Sequence, residues 1–140
     1  MHHFSVAETA ITETLLSLDL VKTNKGAIHL VGQKQDALAK AIGTGGPLSD
    51  KGKSAAKALD TFRSHDAFRV QLVHGLARIA VERSGKWLIV LRHRVIRSGD
   101  SNEQTMVVEQ EEADALLKQL QRDSGALCST LSNLRKAALA

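Results

Sequence analysis

The sequence predicts an α+β fold, with N-terminal helices, a central antiparallel hairpin and a C-terminal helical segment. Three observations carry this reading. The hydrophobic period changes from helical to alternating near Leu76 and back to helical near Gln110. A short polar turn, Ser84-Gly85-Lys86, separates two apolar runs, as a hairpin requires. Ala113, Leu120, Leu127 and Leu134 recur every seven residues, with Leu117, Leu131 and Ala138 in a second row. At 140 residues the chain is long enough to bury a core of its own as one domain. Residues 1–109 form its α+β part and 110–140 a helical segment packed on it.

Each element has a local reason. Ser5 and Glu8 have capping-box spacing, and Val6, Ala7, Ala10, Ile11, Leu15 and Leu18 then predict a helix from about 6 to 19. Asn24-Lys25-Gly26 interrupts it, and the apolar run Ala27 to Val31 predicts a small strand. Gln33 to Ile42 is helical again, with Ala37, Leu38, Ala41 and Ile42 inward and Gly43 as its stop. Thr44 to Leu48 is a loop holding two glycines and the only proline. Ser49 is placed to cap a helix over about 50–64. On that helix Ala55, Leu59 and Phe62 share one face and Lys53 and Lys57 lie opposite.

The stretch from 65 to 75 reads both ways. Phe68, Val70 and Leu72 alternate as in a strand, yet Phe68, Leu72, Leu76 and Ile79 also suit a helix. A break falls at His74-Gly75, with a strand from about Leu76 to Glu82. Trp87 to Arg97 is a second strand, apolar on both faces in its first half. Arg92 and Arg94 lie on one side of its second half, His93 and Arg97 on the other. Ser98 to Asn102 is a polar loop, and Thr105 to Glu109 forms a short edge strand. Residues 110 to 139 are helical, with Gly125 a point where the stretch can divide in two. Its apolar stripe needs a cover, either the protein's own sheet or a second subunit.

Charge is segregated along the chain. Between Lys51 and Arg97 eleven Lys/Arg face three Asp/Glu, a local balance of +8, whereas Ser98 to Asp123 carries −5. A basic block of that size attracts polyanions over about a Debye length, so nucleic acid is the partner class it favours. The block can also be a solvated face, or can pair with the acidic segment. Aromatic residues make up only 3% of the chain, which disfavours a single-strand binder built on stacking platforms. The one cysteine, Cys128, excludes an intrachain disulfide and a multi-thiolate zinc site. With no apolar run of membrane-spanning length and no signal-like N-terminus, the expected location is cytoplasmic.

Catalysis finds little in the letters. No two histidines have the spacing of a zinc-protease helix, and Gly43-Thr44-Gly45-Gly46 lacks the lysine-hydroxyl pair of a P-loop. Cys128 sits on the apolar stripe as an inert thiol. The expectation is a non-enzyme with no cofactor and no metal.

The order helix, short strand, helix, helix, two strands is similar to the winged helix-turn-helix arrangement. Asp36-Ala37-Leu38-Ala39-Lys40-Ala41-Ile42-Gly43 resembles the positioning helix of that superfamily with its terminating glycine. The resemblance implies that the helix over about 50–64 is the reader, with Lys51, Lys53 and Lys57 near DNA. It also implies that Arg83, Ser84, Gly85 and Lys86 form the tip of a wing beside the phosphate backbone.

The expected function is therefore that of a small DNA-binding or regulatory protein contacting phosphates, with duplex DNA favoured. Its candidate contacts are Lys51, Lys53, Lys57, Arg83, Lys86, Arg92, Arg94 and Arg97. A homodimer through Ala113, Leu117, Leu120, Leu127, Leu131 and Leu134 would present two such surfaces. The alternative is a non-enzymatic protein-interaction module, an adaptor, inhibitor or assembly factor, working through the C-terminal apolar helix face.

Overall fold

The α+β class holds in the computed structural model, which describes residues 1–21 and 29–140. In chain order the elements are α1 (His2–Ser17), α2 (Val31–Ile42), α3 (Lys53–Arg63), α4 (Asp66–His74), β1 (Leu76–Val81), β2 (Trp87–Arg97), β3 (Asp100–Glu109) and α5 (Gln110–Leu139). They divide into two units. Residues 1–64 with 120–140 form a helical unit, and residues 65–119 form a sheet unit. The boundary thus falls inside α5 rather than at residue 109.

In the helical unit, α1 starts earlier than expected, because helical bonding already runs from Met1. The Ser5 N–H donates to the Met1 carbonyl, and the Ser5 hydroxyl does the same instead of capping. At its other end Asp19 takes a left-handed φ of 55°. The Asp19 and Leu20 N–H groups donate back to Leu16 and Leu15, which closes the helix and buries both Leu15 and Leu20. Among the described residues no strand precedes α2. His29 and Leu30 donate their N–H groups to Gln33 Oε1, so Val31 opens a helix; Ala27 and Ile28 lie outside the described residues. Residues 44–51 are turns, so α3 begins at Lys53 after Gly52, without a Ser49 cap. Gly46 is required there, since a Cβ would stand 2.4 Å from the Lys40 and Ala41 carbonyl oxygens.

The core of this unit comes from every helix in it. Phe4, Ile11 and Leu15 of α1, Leu38 and Ile42 of α2, and Leu59 and Phe62 of α3 are buried together with Leu127 and Leu131 of α5. The rings of Phe4 and Phe62 meet edge to face at 6.0 Å. Polar groups tie α1 to α5. The Thr14 hydroxyl, fully buried, donates to the Ala10 carbonyl at 2.7 Å and accepts from Arg135 Nη1 at 2.8 Å. The Ser124 hydroxyl donates to the His3 carbonyl at 3.0 Å.

This packing corrects the assembly expected from the leucine rows. Leu120, Leu127, Leu131 and Leu134 are 4% exposed or less within one chain, so they are intrachain core and cannot meet a second subunit. Ala113 is half-buried and Leu117 exposed, and neither lies in that core. Gly125 does not divide α5. Its site is open, and a lone helical glycine costs only about 1 kcal/mol relative to alanine, less than the flanking burial contributes.

In the sheet unit the ambiguous stretch is helix α4, which ends at Gly75. The sheet runs β1-β2-β3, antiparallel throughout, with Ile79 opposite Ile89 and Ile89 opposite Val108. The first hairpin turns through Arg83-Ser84-Gly85, one residue before the expected Ser84-Gly85-Lys86. The second is tighter than the expected loop. Ser98 and Gly99 both have positive φ, 52° and 84°, so a two-residue turn pairs Arg97 with Asp100 and extends β3 to ten residues. α4 lies over the face that carries Leu91, His93 and Gln104. Gln71 Nε2 donates to Gln104 Oε1 at 3.3 Å, and the His74 ring stacks on His93 at 5.8 Å.

Two substitutions test this core. Leu131→Ala should lower the unfolding free energy by about 2–5 kcal/mol in a denaturant titration while leaving the native molecular mass unchanged. Thr14→Val removes the shorter of the two Arg135 Nη1 hydrogen bonds, leaving only the Ala10 carbonyl at 3.3 Å, and should cost about 1–3 kcal/mol.

Candidate nucleic-acid interface

Strand pairing decides where the arginines go. Side chains alternate between the two faces of a strand, and directly paired residues share a face. Leu76 opposes Arg92, Arg78 opposes Val90, and Arg94 opposes Glu103. Arg78, Arg92 and Arg94 therefore emerge from the same face, the one turned away from α4. All three are exposed. Arg92 and Arg94 stand two residues apart on one strand, about 7 Å, and Arg78 is the diagonal neighbour of Arg92 at about 7–8 Å. Exposed Leu76, Val107 and Ile96 lie among them.

Their ion pairing is sparse. Arg94 approaches Glu103 at 3.8 Å, and both side chains are largely exposed, so solvent and salt screen the pair. Among the described residues Arg78 and Arg92 make no salt bridge. Two guanidiniums are thus free to take an external anion, and a third is weakly held.

The remaining candidates fall elsewhere. Arg83 is exposed in the first hairpin turn, and Arg97 sits at the second, opposite Asp100. Lys86 is engaged by Glu111 at 3.3 Å, beside a cleft that Glu82, Glu109 and Asp114 also line. That end of the sheet repels phosphate. Lys51, Lys53 and Lys57 belong to the helical unit. Lys51 Nζ donates to the Ala137 carbonyl at 3.2 Å near the end of α5, whereas Lys53 and Lys57 are exposed on α3. Lys57 and Arg122 share a shallow groove with Ser54, Thr61 and Ala126. The basic block between Lys51 and Arg97 is therefore divided. The helical unit carries eleven Lys/Arg against seven Asp/Glu, and the sheet unit eight against eight.

Base stacking has no platform among the described residues. Phe4 and Phe62 are buried, and Phe68 and Trp87 are half-buried. One polar group went unread in the sequence, the His74-His93 stack with Gln71 and Gln104. Its members come from α4, β2 and β3, so only the tertiary pairing reveals it. His93 Nδ1 and Gln71 Oε1 are buried without a hydrogen-bond partner; Arg69 Nε is buried too, with the Asp66 carboxylate at 3.6 Å. No group of three or more metal-ligating side chains occurs among the described residues, and no described helix is long and apolar enough to cross a membrane.

The chain matches no protein-family model, no curated protein and no solved structure.

Burial pushes the Cys128 thiol above its ordinary value, against smaller opposing effects from a Ser124 hydrogen bond and Arg135. The thiol is then neutral near pH 7 and a poor nucleophile. Alkylation should be slower in the native protein than in the unfolded chain, and the rate should rise with a midpoint above that of the unfolded thiol. Since the folded pKa is raised, this group's contribution to stability is complete below the unfolded pKa. It is lost as pH rises through the folded one. A native alkylation rate equal to the unfolded rate at pH 8 would reject this.

Proposed function

We propose that the protein is a nucleic-acid-binding protein that contacts the phosphate backbone through the arginine face of its sheet. One observation carries the reading: Arg78, Arg92 and Arg94 stand on a single exposed face, and the first two have no carboxylate partner among the described residues. Guanidinium groups match phosphate oxygens in a planar, bidentate fashion, so arginine suits this role better than lysine. With no exposed aromatic ring among the described residues and no Asn or Gln on α3, contacts go to backbone rather than to bases. The protein would bind with little regard to sequence. The winged-helix resemblance adds Lys53 and Lys57 on α3 as further phosphate contacts. Duplex DNA remains the favoured form.

A second reading, a protein-interaction module, draws on Leu76, Val107 and Ile96, which are more than half exposed on the same face. Salt separates the two, because phosphate binding releases counterions and apolar contacts do not.

The triple variant Arg78→Ala/Arg92→Ala/Arg94→Ala should weaken duplex binding alike across sequences. It should also flatten the slope of log affinity against log salt by roughly 2–3, about one for each phosphate that is no longer neutralised. Unchanged affinity and slope would remove the sheet face from consideration. Lys53→Glu/Lys57→Glu measures the contribution of α3 on the same assay.

A further inference from the structure

The edge of the sheet at β1 is open. β1 pairs only with β2, and all six of its residues are exposed, with Leu76 at 62%, Ile79 at 71% and Val81 at 68%. The Glu82 N–H donates to the Lys86 carbonyl at 2.7 Å, which sets the phase of the ladder. Arg78, Ala80 and Glu82 turn their backbone groups toward β2; Ala77, Ile79 and Val81 turn theirs outward. Natural edge strands are blunted by lysine, proline, a bulge or shortness. β1, Leu-Ala-Arg-Ile-Ala-Val, has one charge and none of the other devices. The opposite edge differs. The first half of β3, Asp-Ser-Asn-Glu-Gln, is polar and twice charged, which discourages strand addition.

Charge selects the occupant. Two copies of β1 related by a two-fold axis through the sheet pair antiparallel, and each side chain then faces one from the same sheet face. Centred on Arg78, such a pair would bring two guanidiniums together. Centred on Ile79, it would set Arg78 against Ala80 and Glu82 against Leu76. Centred on Ala80, it sets Arg78 against Glu82 of the second copy twice over, and Ile79 against Val81 twice, with only alanine at the axis. Arg78 makes no salt bridge among the described residues. Glu82 Oε2 accepts from the Ser84 hydroxyl, which leaves Oε1 for an incoming guanidinium. On the other face the apolar row Val108–Ile89–Ile79 then continues into Val81 and Trp87 of the second copy.

We propose that β1 pairs with β1 of a second copy, centred on Ala80, to make a homodimer with a continuous sheet. The pairing uses backbone groups that are free in one chain and covers apolar side chains that one chain leaves in water.

Light scattering on the full chain at about 100 μM should give about twice the 15.1 kDa chain mass. In amide exchange, Ile79 and Val81 should be protected. Arg78→Glu and Glu82→Arg should each weaken the dimer by roughly tenfold or more, since each replaces two attractive cross-strand pairs with repulsive ones. An equimolar mixture of the two variants restores both attractive pairs and should dimerise again. A wild-type mass of one chain overturns the proposal, as does a dimer whose Ile79 amide exchanges freely. Two folded single variants, confirmed by circular dichroism, that stay monomeric when mixed overturn the register.

Discussion

The α5 leucine row is the constraint on which the rest depends. Leu120, Leu127, Leu131 and Leu134 are buried in the helical unit along with Phe4 and Ile11 of α1, Leu38 of α2 and Phe62 of α3. The polar links reinforce this choice. Thr14 and Arg135 satisfy one another where an unpaired hydroxyl would be costly, and Ser124 takes up the His3 carbonyl at the start of α1. A stripe consumed in this way is withdrawn from assembly. The surfaces left for work are those of the sheet, where Leu91 and Val108 are the buried apolar side chains and most others remain in solvent.

Electrostatics follows the same partition. A count along the chain finds one basic block, but folding assigns α3 and the strands to different units and surrounds the first hairpin turn with carboxylates. What survives is local. Arg78 owes its place beside Arg92 and Arg94 to strand register, and a one-residue slip of β1 would move it to the other face. The sheet unit has no net formal charge, and Glu103 and Glu109 emerge from the arginine face too, so the proposed attraction for phosphate rests on the local spacing of charges and not on overall sign.

How far the sequence could be read depended on whether burial agreed with residue type. β2 was legible from Trp87 to Arg97, because a two-sided apolar run bounded by Gly85 and Ser98 has few other uses. Gly43 marked a helix end and Gly75 a break, and at both a Cβ would meet a carbonyl oxygen of the preceding turn. α4 resisted, since its sheet-facing side holds Gln71 and His74 while Phe68, Val70 and Leu72 mimic a strand. The length of β3 was hidden in polar residues that pair at an edge without burying anything. The arginine face was half visible. Arg92 and Arg94 alternate on one strand, but Arg78 joins them only through a pairing that no local pattern encodes. The heptad spacing of α5 pointed to a seam of which Leu120, Leu127, Leu131 and Leu134 are buried within the chain while Leu117 is exposed, because spacing reports the need for a cover and not whose residues supply it.

An unblunted edge such as β1 carries a risk of open-ended stacking, and the placement of charge bears on how growth would stop. Pairing centred on Ala80 satisfies Arg78 and Glu82 together, whereas neighbouring registers leave at least one of them opposite a like charge or an apolar side chain. Once two copies pair, the outer edges are both β3, whose Asp100 and Glu103 would meet their own kind in any further addition. The assembly therefore closes at two. The same two-fold axis places Arg92 and Arg94 of both copies on one face, since antiparallel pairing keeps faces together, while each Arg78 is held by Glu82 of the other copy. Weak phosphate contacts on each copy then act on a single strand or duplex at a high effective concentration. Closure of the edge thus also sets the spacing between the Arg92 and Arg94 pairs of the two copies, through the register of a six-residue strand.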